Sequence, residues 1–350
     1  MMNRWHAVKR LLPVLAGLTL LLSACGRADL SALNPQGPVA EEQFGLIKLS
    51  IAIMGFVMVV VFALTFYVLF RFRRRKGQNE IPEQVEGNHK LEIIWTVIPI
   101  VLLIILAVPT VKYVFQFAED HSKDENAVQV KVTAHQYWWE FEYPQYGVTT
   151  AQELVVPTTK RISLQLKTAD VLHSFWIPSL MGKIDTNTEG NINKAYFEAP
   201  KAGVYRGKCA ELCGPSHALM DFKVVAVDEA AFGKWVEEMK APAVLPEDEH
   251  IREVFKSQCL ACHAIGDQGA PTFPNLTGIG SKEAVAGVLL NGTGPGEQPV
   301  EQNLKEWIAD PQRVKPGNKM PAVPLTPEEL DGIAKYLAEQ KLTYNENSAK

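Results

Sequence analysis

The sequence predicts a multidomain membrane protein: a two-helix transmembrane hairpin, then an all-β sandwich or barrel, then an all-α C-terminal domain. Three observations carry this. Two apolar runs, Leu46 to Phe70 and Leu91 to Val111, each reach the roughly 20 residues that a helix needs to cross a bilayer. From Ala127 apolar residues alternate with polar ones, at Val128, Val130, Val132 and Ala134 and again at Ile162, Leu164 and Leu166, as in strands with one buried face. Beyond Ala241 the apolar spacing lengthens to three and four, at Ile251, Val254 and Phe255 and at Leu330, Ile333, Ala334 and Leu337 behind Pro327. A chain of 350 residues is long enough for two or three such units.

Taken in order, the chain starts with a basic stretch (Arg4, Lys9, Arg10) and an apolar run from Leu11 to Leu22, the pattern of a secretory signal. Leu22-Ser23-Ala24-Cys25 resembles a bacterial lipobox. That resemblance implies a signal peptide at 1–24, cleavage before Cys25 and a lipidated segment at 25–43; the alternative is an uncleaved anchor. The hairpin is expected over 44–117, with spans at about 46–70 and 91–113; Pro99 is tolerable there where neighbours satisfy the freed carbonyl. Arg71-Phe72-Arg73-Arg74-Arg75-Lys76 between the spans belongs on the cytoplasmic side. Everything beyond the second span is then extracytoplasmic.

The β domain is expected over 125–240. Leu154 to Val156, Ala195 to Phe197 and Phe222 to Val227 are further strands, in an antiparallel sandwich or barrel closed by a helix bearing Phe232, Trp235, Val236 and Met239. A Pro-containing acidic linker at 241–248 leads to the helical domain at 249–345. The net charge of -4 gives no global argument for a nucleic-acid partner.

The five cysteines fall in three separate places, which argues against a disulfide framework. Cys209, Cys213, His217 and Met220 lie within twelve residues, in a Gly- and Pro-containing turn between strands. Tetrahedral zinc uses Cys and His without Met, whereas a thioether beside thiolate and imidazole is typical of copper electron-transfer sites. A mononuclear blue site needs one cysteine; two, four residues apart, can bridge two copper ions, each then needing a terminal imidazole. His173, closing a strand-like segment before the Pro178 turn, is the candidate for the second; a structural histidine is the alternative.

Asp170-Val171-Leu172-His173-Ser174-Phe175, followed by the Cys209 to Met220 set, resembles the copper-A domain of cytochrome oxidase subunit II, a cupredoxin fold with a Greek-key barrel. The resemblance spans roughly residues 40 to 240, including the hairpin and His135-Gln136-Tyr137-Trp138-Trp139-Glu140-Phe141. It implies Cys209 and Cys213 as bridging thiolates, His173 and His217 as terminal ligands, and Met220 and the Glu211 carbonyl as weak axial ligands. The Glu211 carboxylate would reach a magnesium ion shared with the catalytic subunit, a hard cation that prefers oxygen; a solvated loop acid is the alternative. In the family the first aromatic of a Trp-Tyr-Trp run takes in electrons. Here Tyr137 holds that place, so Tyr137, Trp138 and Trp139 are either an electron path or ordinary strand packing.

Cys259-Leu260-Ala261-Cys262-His263 is the haem c attachment signal, with thioethers at Cys259 and Cys262 and His263 as axial ligand. Met320, in Gly317-Asn318-Lys319-Met320-Pro321, resembles the distal methionine of small class I cytochromes c, and Pro274-Asn275-Leu276 the segment whose carbonyl orients the proximal histidine. These resemblances together imply an electron relay. An upstream cytochrome c or quinol–cytochrome c reductase would reduce the haem c, then two copper ions, then the haem a of an oxidase subunit I that holds haem a3 and copper-B. Further oxidase subunits would be partners. The whole would be a proton-pumping cytochrome c oxidase in a bacterial cell membrane, with this chain a multi-pass lipoprotein. The alternatives are the copper-A subunit of a nitric oxide reductase and a membrane-anchored electron carrier.

Overall fold

The computed structural model describes Gly17 and residues 27–74, 77, 81, 84, 86–187 and 190–344. Cys25 and, Gly17 aside, the secretory signal lie outside the described residues, as do Arg75 and Lys76 of the basic loop. The two apolar runs form α1 (Pro38–Arg71) and α2 (His89–Phe117). Their most apolar stretches have mean hydropathy 2.6 and 2.8 and no share buried against protein. Helices that satisfy their backbone groups internally and turn apolar side chains outward suit a bilayer, and only Pro99 and Pro109 inside α2 interrupt that pattern. Pro38 starts α1, and the Asn88 side chain caps α2 by accepting from Lys90 N and Leu91 N.

The first turn of α1 is docked on the β domain. Val39 and Ala40 are buried, Gln36 N donates to the Ser179 carbonyl at 2.7 Å, and a side chain at Gly37 would strike the Glu198 carbonyl. Gln116 near the end of α2 donates to the Glu42 carboxylate at 2.8 Å. The hairpin therefore joins the sandwich through packed contacts as well as through the chain.

Ten strands follow: β1 (Val128–His135), β2 (Trp138–Tyr143), β3 (Val148–Ala151), β4 (Glu153–Pro157), β5 (Arg161–Thr168), β6 (His173–Trp176), β7 (Ile184–Thr186), β8 (Asn193–Glu198), β9 (Gly203–Cys209) and β10 (Asp221–Val227). They form two five-stranded sheets, ordered β3-β2-β1-β5-β8 and β4-β10-β9-β6-β7. The sheets are mixed where the alternation suggested antiparallel pairing: β1 runs parallel to β5, with Val130 opposite Leu164, and β4 parallel to β10. Greek-key connections that cross between the sheets bring these strands together in the same direction. Phe141, Phe175 and Phe222 fill the space between the sheets, the last two stacked at 4.4 Å. Asp228 caps α3 (Glu229–Met239), whose Phe232, Trp235 and Met239 close one edge of this core.

The C-terminal domain is built from α4 (Glu249–Gln258), α5 (Val300–Ala309), α6 (Pro311–Val314) and α7 (Pro327–Glu339), with two small strand pairs, Ala264–Ile265 with Gln268–Gly269 and Ala284–Val285 with Leu289–Leu290. Thr326 and Glu329 form a reciprocal cap at the start of α7. Phe255, Leu304, Ile308, Ile333 and Leu337 make its core. Past α7 the chain returns to the sandwich, where Tyr344 is buried with the β-domain core and Thr343 N donates to Glu238 at 2.8 Å.

Candidate metal centres

Strands β6, β9 and β10 are neighbours, with Phe175 opposite Cys209 and Lys208 opposite Asp221. That register brings the start of β6, the end of β9 and the residue before β10 to one end of the sheet. His173, Cys209 and Met220 stand there, with the turn carrying Glu211, Cys213 and His217 folded over them. His173 opens β6; it does not close a strand, because β5 ends at Thr168 and a turn, held by the Thr168 hydroxyl donating to the Val171 carbonyl at 2.6 Å, intervenes.

The Cys209 and Cys213 sulfurs are 3.8 Å apart. His173 Nδ1 is 3.7 Å from Cys209 Sγ, His217 Nδ1 is 3.5 Å from Cys213 Sγ, and Met220 Sδ is 3.8 Å from Cys213 Sγ. The Glu211 carbonyl oxygen lies 3.2 Å from Cys209 Sγ. One ligand atom from each of His173, Cys209 and Cys213 falls within 4.8 Å of the other two. His173 and Met220 are 0% exposed.

The electrostatics suit a soft cation. Burial, and then the adjacent Cys209, push the Cys213 thiol well above its ordinary range, so two thiolates here need compensating positive charge. Burial likewise holds His173 below the usual imidazole range, toward the neutral form that binds metals. Its Nε2 donates to Asp170 Oδ1 at 2.9 Å, which leaves the Nδ1 lone pair facing the sulfurs. Asp170 Oδ2 accepts from Gln136 N at 2.8 Å, while the Gln136 amide donates to the Cys213 carbonyl at 2.6 Å. Asp170 and Gln136 were not among the expected site residues, although both stand within the motifs that marked the domain.

The three aromatic residues separate. Trp139 is fully buried in the sandwich, edge-on to Phe175 at 5.2 Å and to His173 at 6.1 Å. Tyr137 and Trp138 instead line a cavity shared with the C-terminal domain, and Trp138 stacks on His135 at 4.1 Å.

That cavity, about 1370 Å³ including its open mouth, is walled by Cys259, Cys262, His263, Leu276, Trp307 and Met320 among others. His263 Nδ1 lies 2.7 Å from the Pro274 carbonyl. A carbonyl only accepts, so Nδ1 carries the proton and the other ring nitrogen is left for a metal. Met320 N donates to the Asn318 side chain at 2.8 Å, fixing the loop that carries its sulfur. Two buried lysines also line the cavity. Lys282 donates to the Ala151 carbonyl and Lys315 to the Ala286 carbonyl, and among the described residues neither forms an ion pair. Burial pushes the Lys315 ammonium down to about 7. An apolar slot with His and Met on its walls and two lysine N–H donors fits haem, a flat apolar group carrying two carboxylates.

The two centres meet at Tyr137. Its hydroxyl lies so close to Gly214, in the turn that carries Cys213 and His217, that a Cβ there would come within 2.5 Å, and within 3.3 Å of one built on Gly317, in the Met320 loop. Across the same seam Ser216 Oγ donates to the Pro316 carbonyl at 2.7 Å and Glu283 N to Glu153 at 3.2 Å.

Comparison with known proteins decides the family. Residues 31–113 match the transmembrane domain of cytochrome c oxidase subunit II, residues 147–227 its periplasmic domain, and residues 249–341 cytochrome c. Cytochrome c oxidase subunit 2 of Alkalihalophilus pseudofirmus is 45% identical, over 97% of this chain and 99% of that one. The chain belongs to the cytochrome c oxidase subunit II family. Cytochrome c oxidase subunit 2 of Bacillus subtilis is 46% identical over 96% of this chain and 98% of its own length, and that organism's quinol oxidase subunit 2 is 37% identical over 68% and 75%. The periplasmic domain of cytochrome oxidase subunit II of Bradyrhizobium japonicum aligns with a TM-score of 0.31 at 33% identity, over 32% of this chain and 93% of that structure. A cytochrome c oxidase subunit II of this kind is a membrane-bound electron-transfer subunit acting beside subunit I. Its family implies copper, and its cytochrome c domain haem c.

Proposed function

We propose that electrons enter this oxidase subunit at a haem c held by Cys259, Cys262, His263 and Met320, and cross the seam at Tyr137 and Trp138. From there they reach a binuclear copper centre held by His173, Cys209, Cys213, His217, Met220 and the Glu211 carbonyl, and pass on to haem a of subunit I, where oxygen becomes water. When bound, the two cofactors supply reversible one-electron chemistry. The residues of the chain supply position. Tyr137, 3% exposed, fills the gap between the copper turn and the Met320 loop, so water is kept out of the path. The buried ends of β6, β9 and β10 hold the sulfur and imidazole donors in a fixed cage, so little rearrangement accompanies oxidation. Lys282 and Lys315, on the cavity wall, would offer N–H donors to the carboxylates of the haem.

The observation that carries this reading is the sharing of Tyr137 by both sites. It also says where a soluble cytochrome c is not needed: the face at Tyr137 is covered by the chain's own cytochrome domain. We further propose that Glu211 offers its carboxylate to a magnesium ion at the subunit I boundary, that Cys25 is lipidated after cleavage of residues 1–24, and that the globular domains lie outside the cytoplasm. An upstream cytochrome c or quinol–cytochrome c reductase would then reduce the haem. The domains would run over 44–117, 125–240 and 249–345.

The test is single-turnover reduction of the purified oxidase with paramagnetic and optical detection. A c-type haem that reoxidises as a mixed-valence copper pair is reduced is the expected result. A mononuclear blue or zinc-only centre would rule the reading out. Tyr137→Ala should slow the internal step and leave both spectra in place.

A further inference from the structure

We propose that the cytochrome domain is also part of the copper site: Lys319, acting through Asp170 on His173, raises the reduction potential of the copper centre. The inference rests on the copper reading above. Asp170 is nearly enclosed and accepts four donors. His173 Nε2 at 2.9 Å and Val171 N at 2.8 Å share Oδ1; Gln136 N at 2.8 Å and Lys319 Nζ at 3.3 Å share Oδ2. Three of these belong to the copper domain. Lys319 comes from the other side of the seam and stands beside Met320, the expected iron ligand.

The chemistry sets the sign. A carboxylate that accepts the far ring N–H of a metal-bound imidazole pulls on that proton and makes the imidazole a stronger donor. A stronger donor favours the more highly charged oxidised metal and lowers its potential. A cation on the same carboxylate drains charge from it and weakens the pull, so the potential rises. With two donors on each oxygen, Asp170 acts only as an acceptor, as a carboxylate does, and Lys319 shares that carboxylate with His173.

An exposed lysine in an ion pair contributes little to stability. Its effect on a potential is a separate matter, since that reads charge at the metal. Lys319 is held over Asp170 by contacts of the residues just before it, Ser216 to Pro316 and Gly317 against Tyr137. The raised potential favours electron flow from haem to copper, and it exists only while the domains are docked.

The experiment uses the complete oxidase with both cofactors loaded. Copper and haem midpoint potentials are measured together by spectroelectrochemistry for wild type, K319R, K319Q, K319E, D170N and the double variant D170N/K319Q. The copper potential should fall in the order wild type, K319Q, K319E, with K319R close to wild type, and K319Q should add little once Asp170 is Asn. An unchanged copper potential in K319Q and K319E overturns the proposal, and so does an equal shift with and without Asp170, which would mean a direct field. Should D170N fail to load copper, nitrogen hyperfine couplings in K319Q carry the same information. A change at His173 alone supports the route, and a change at both histidines or at neither overturns it. A wild-type oxidase with no mixed-valence signal would instead overturn the copper reading itself.

Discussion

The two metal centres are built in opposite ways. The proposed copper donors sit on the ends of paired strands and a turn packed over them, with His173 and Met220 fully enclosed. The proposed haem donors are spread around a large apolar cavity, with Cys262 exposed and Cys259 and Met320 only partly covered. One site is the edge of a finished core. The other is a core built around a cavity, walled by Leu304, Ile308 and Leu337. Metal affinity should therefore be added to a folded β domain, whereas haem attachment should be part of the folding of the C-terminal domain.

The largest expected effect tests that difference directly. Cys259→Ala with Cys262→Ala removes both thioether anchors, and the chain should then carry no covalent haem and show rapid proteolysis between residues 241 and 344. The copper spectrum should survive, since its ligands belong to the sandwich. Loss of the copper signal to the same extent would show that the domains fold as one unit and break the comparison. Conversely, chelating the copper should erase its paramagnetic signal and leave the far-ultraviolet circular dichroism of the β domain in place.

Trp139→Ala comes next. Trp139 is 0% exposed and touches Phe175, Phe222 and the ring of His173, so a large cavity would open beneath the copper ligands. Such truncations cost about 3–5 kcal/mol. Calorimetry should show a lower melting transition for the copper domain with the haem transition little changed. A variant with wild-type stability would mean that the sandwich does not depend on this packing.

Much of this was legible in the sequence, and what was not follows a pattern. Cys209, Cys213, His217 and Met220, and likewise Cys259, Cys262 and His263, are close in sequence, so spacing and resemblance could single them out as candidates, and the fold brings each set to one place. Asp170, Gln136, Lys282, Lys315 and Lys319 act across folds of the chain, and no local periodicity records a contact such as Lys319 with Asp170, 149 residues apart. Strand alternation has period two whichever way a neighbour runs, so the parallel pairs β1–β5 and β4–β10 left no trace. Helix α5 was there to be read, since Val300, Leu304, Trp307 and Ile308 keep the helical spacing, but the Gly- and Pro-containing stretch before them hides its start.

His135 provides a smaller, pH-dependent test on the copper side of the seam. Burial pushes its imidazole down to about 4, and among the described residues its Nε2 has no hydrogen-bond partner. An unfolded chain would take up a proton near the ordinary value of 6.5, where the folded chain refuses it. Stability should thus be complete above that value and fall as pH drops toward about 4. His135→Gln should flatten this part of the profile in denaturant titrations of the β domain. An unaltered acid limb would assign the pH dependence to other groups.

The smallest effect reads the seam itself. Ser216 is fully buried, and its hydroxyl donates to the Pro316 carbonyl, with one partner in the copper turn and the other in the Met320 loop. Ser216→Ala removes the donor and strands a carbonyl, a loss of about 1 kcal/mol by the usual worth of such a bond. The copper ligands and the haem cavity are untouched, so both spectra should be unchanged. What should change is the exchange of amide hydrogens in residues 315–320 and 214–217, which should quicken together, because the bond joins the two loops. Faster exchange in only one loop would mean that each is held by its own domain, and the shared position of Tyr137 would then be a matter of packing alone.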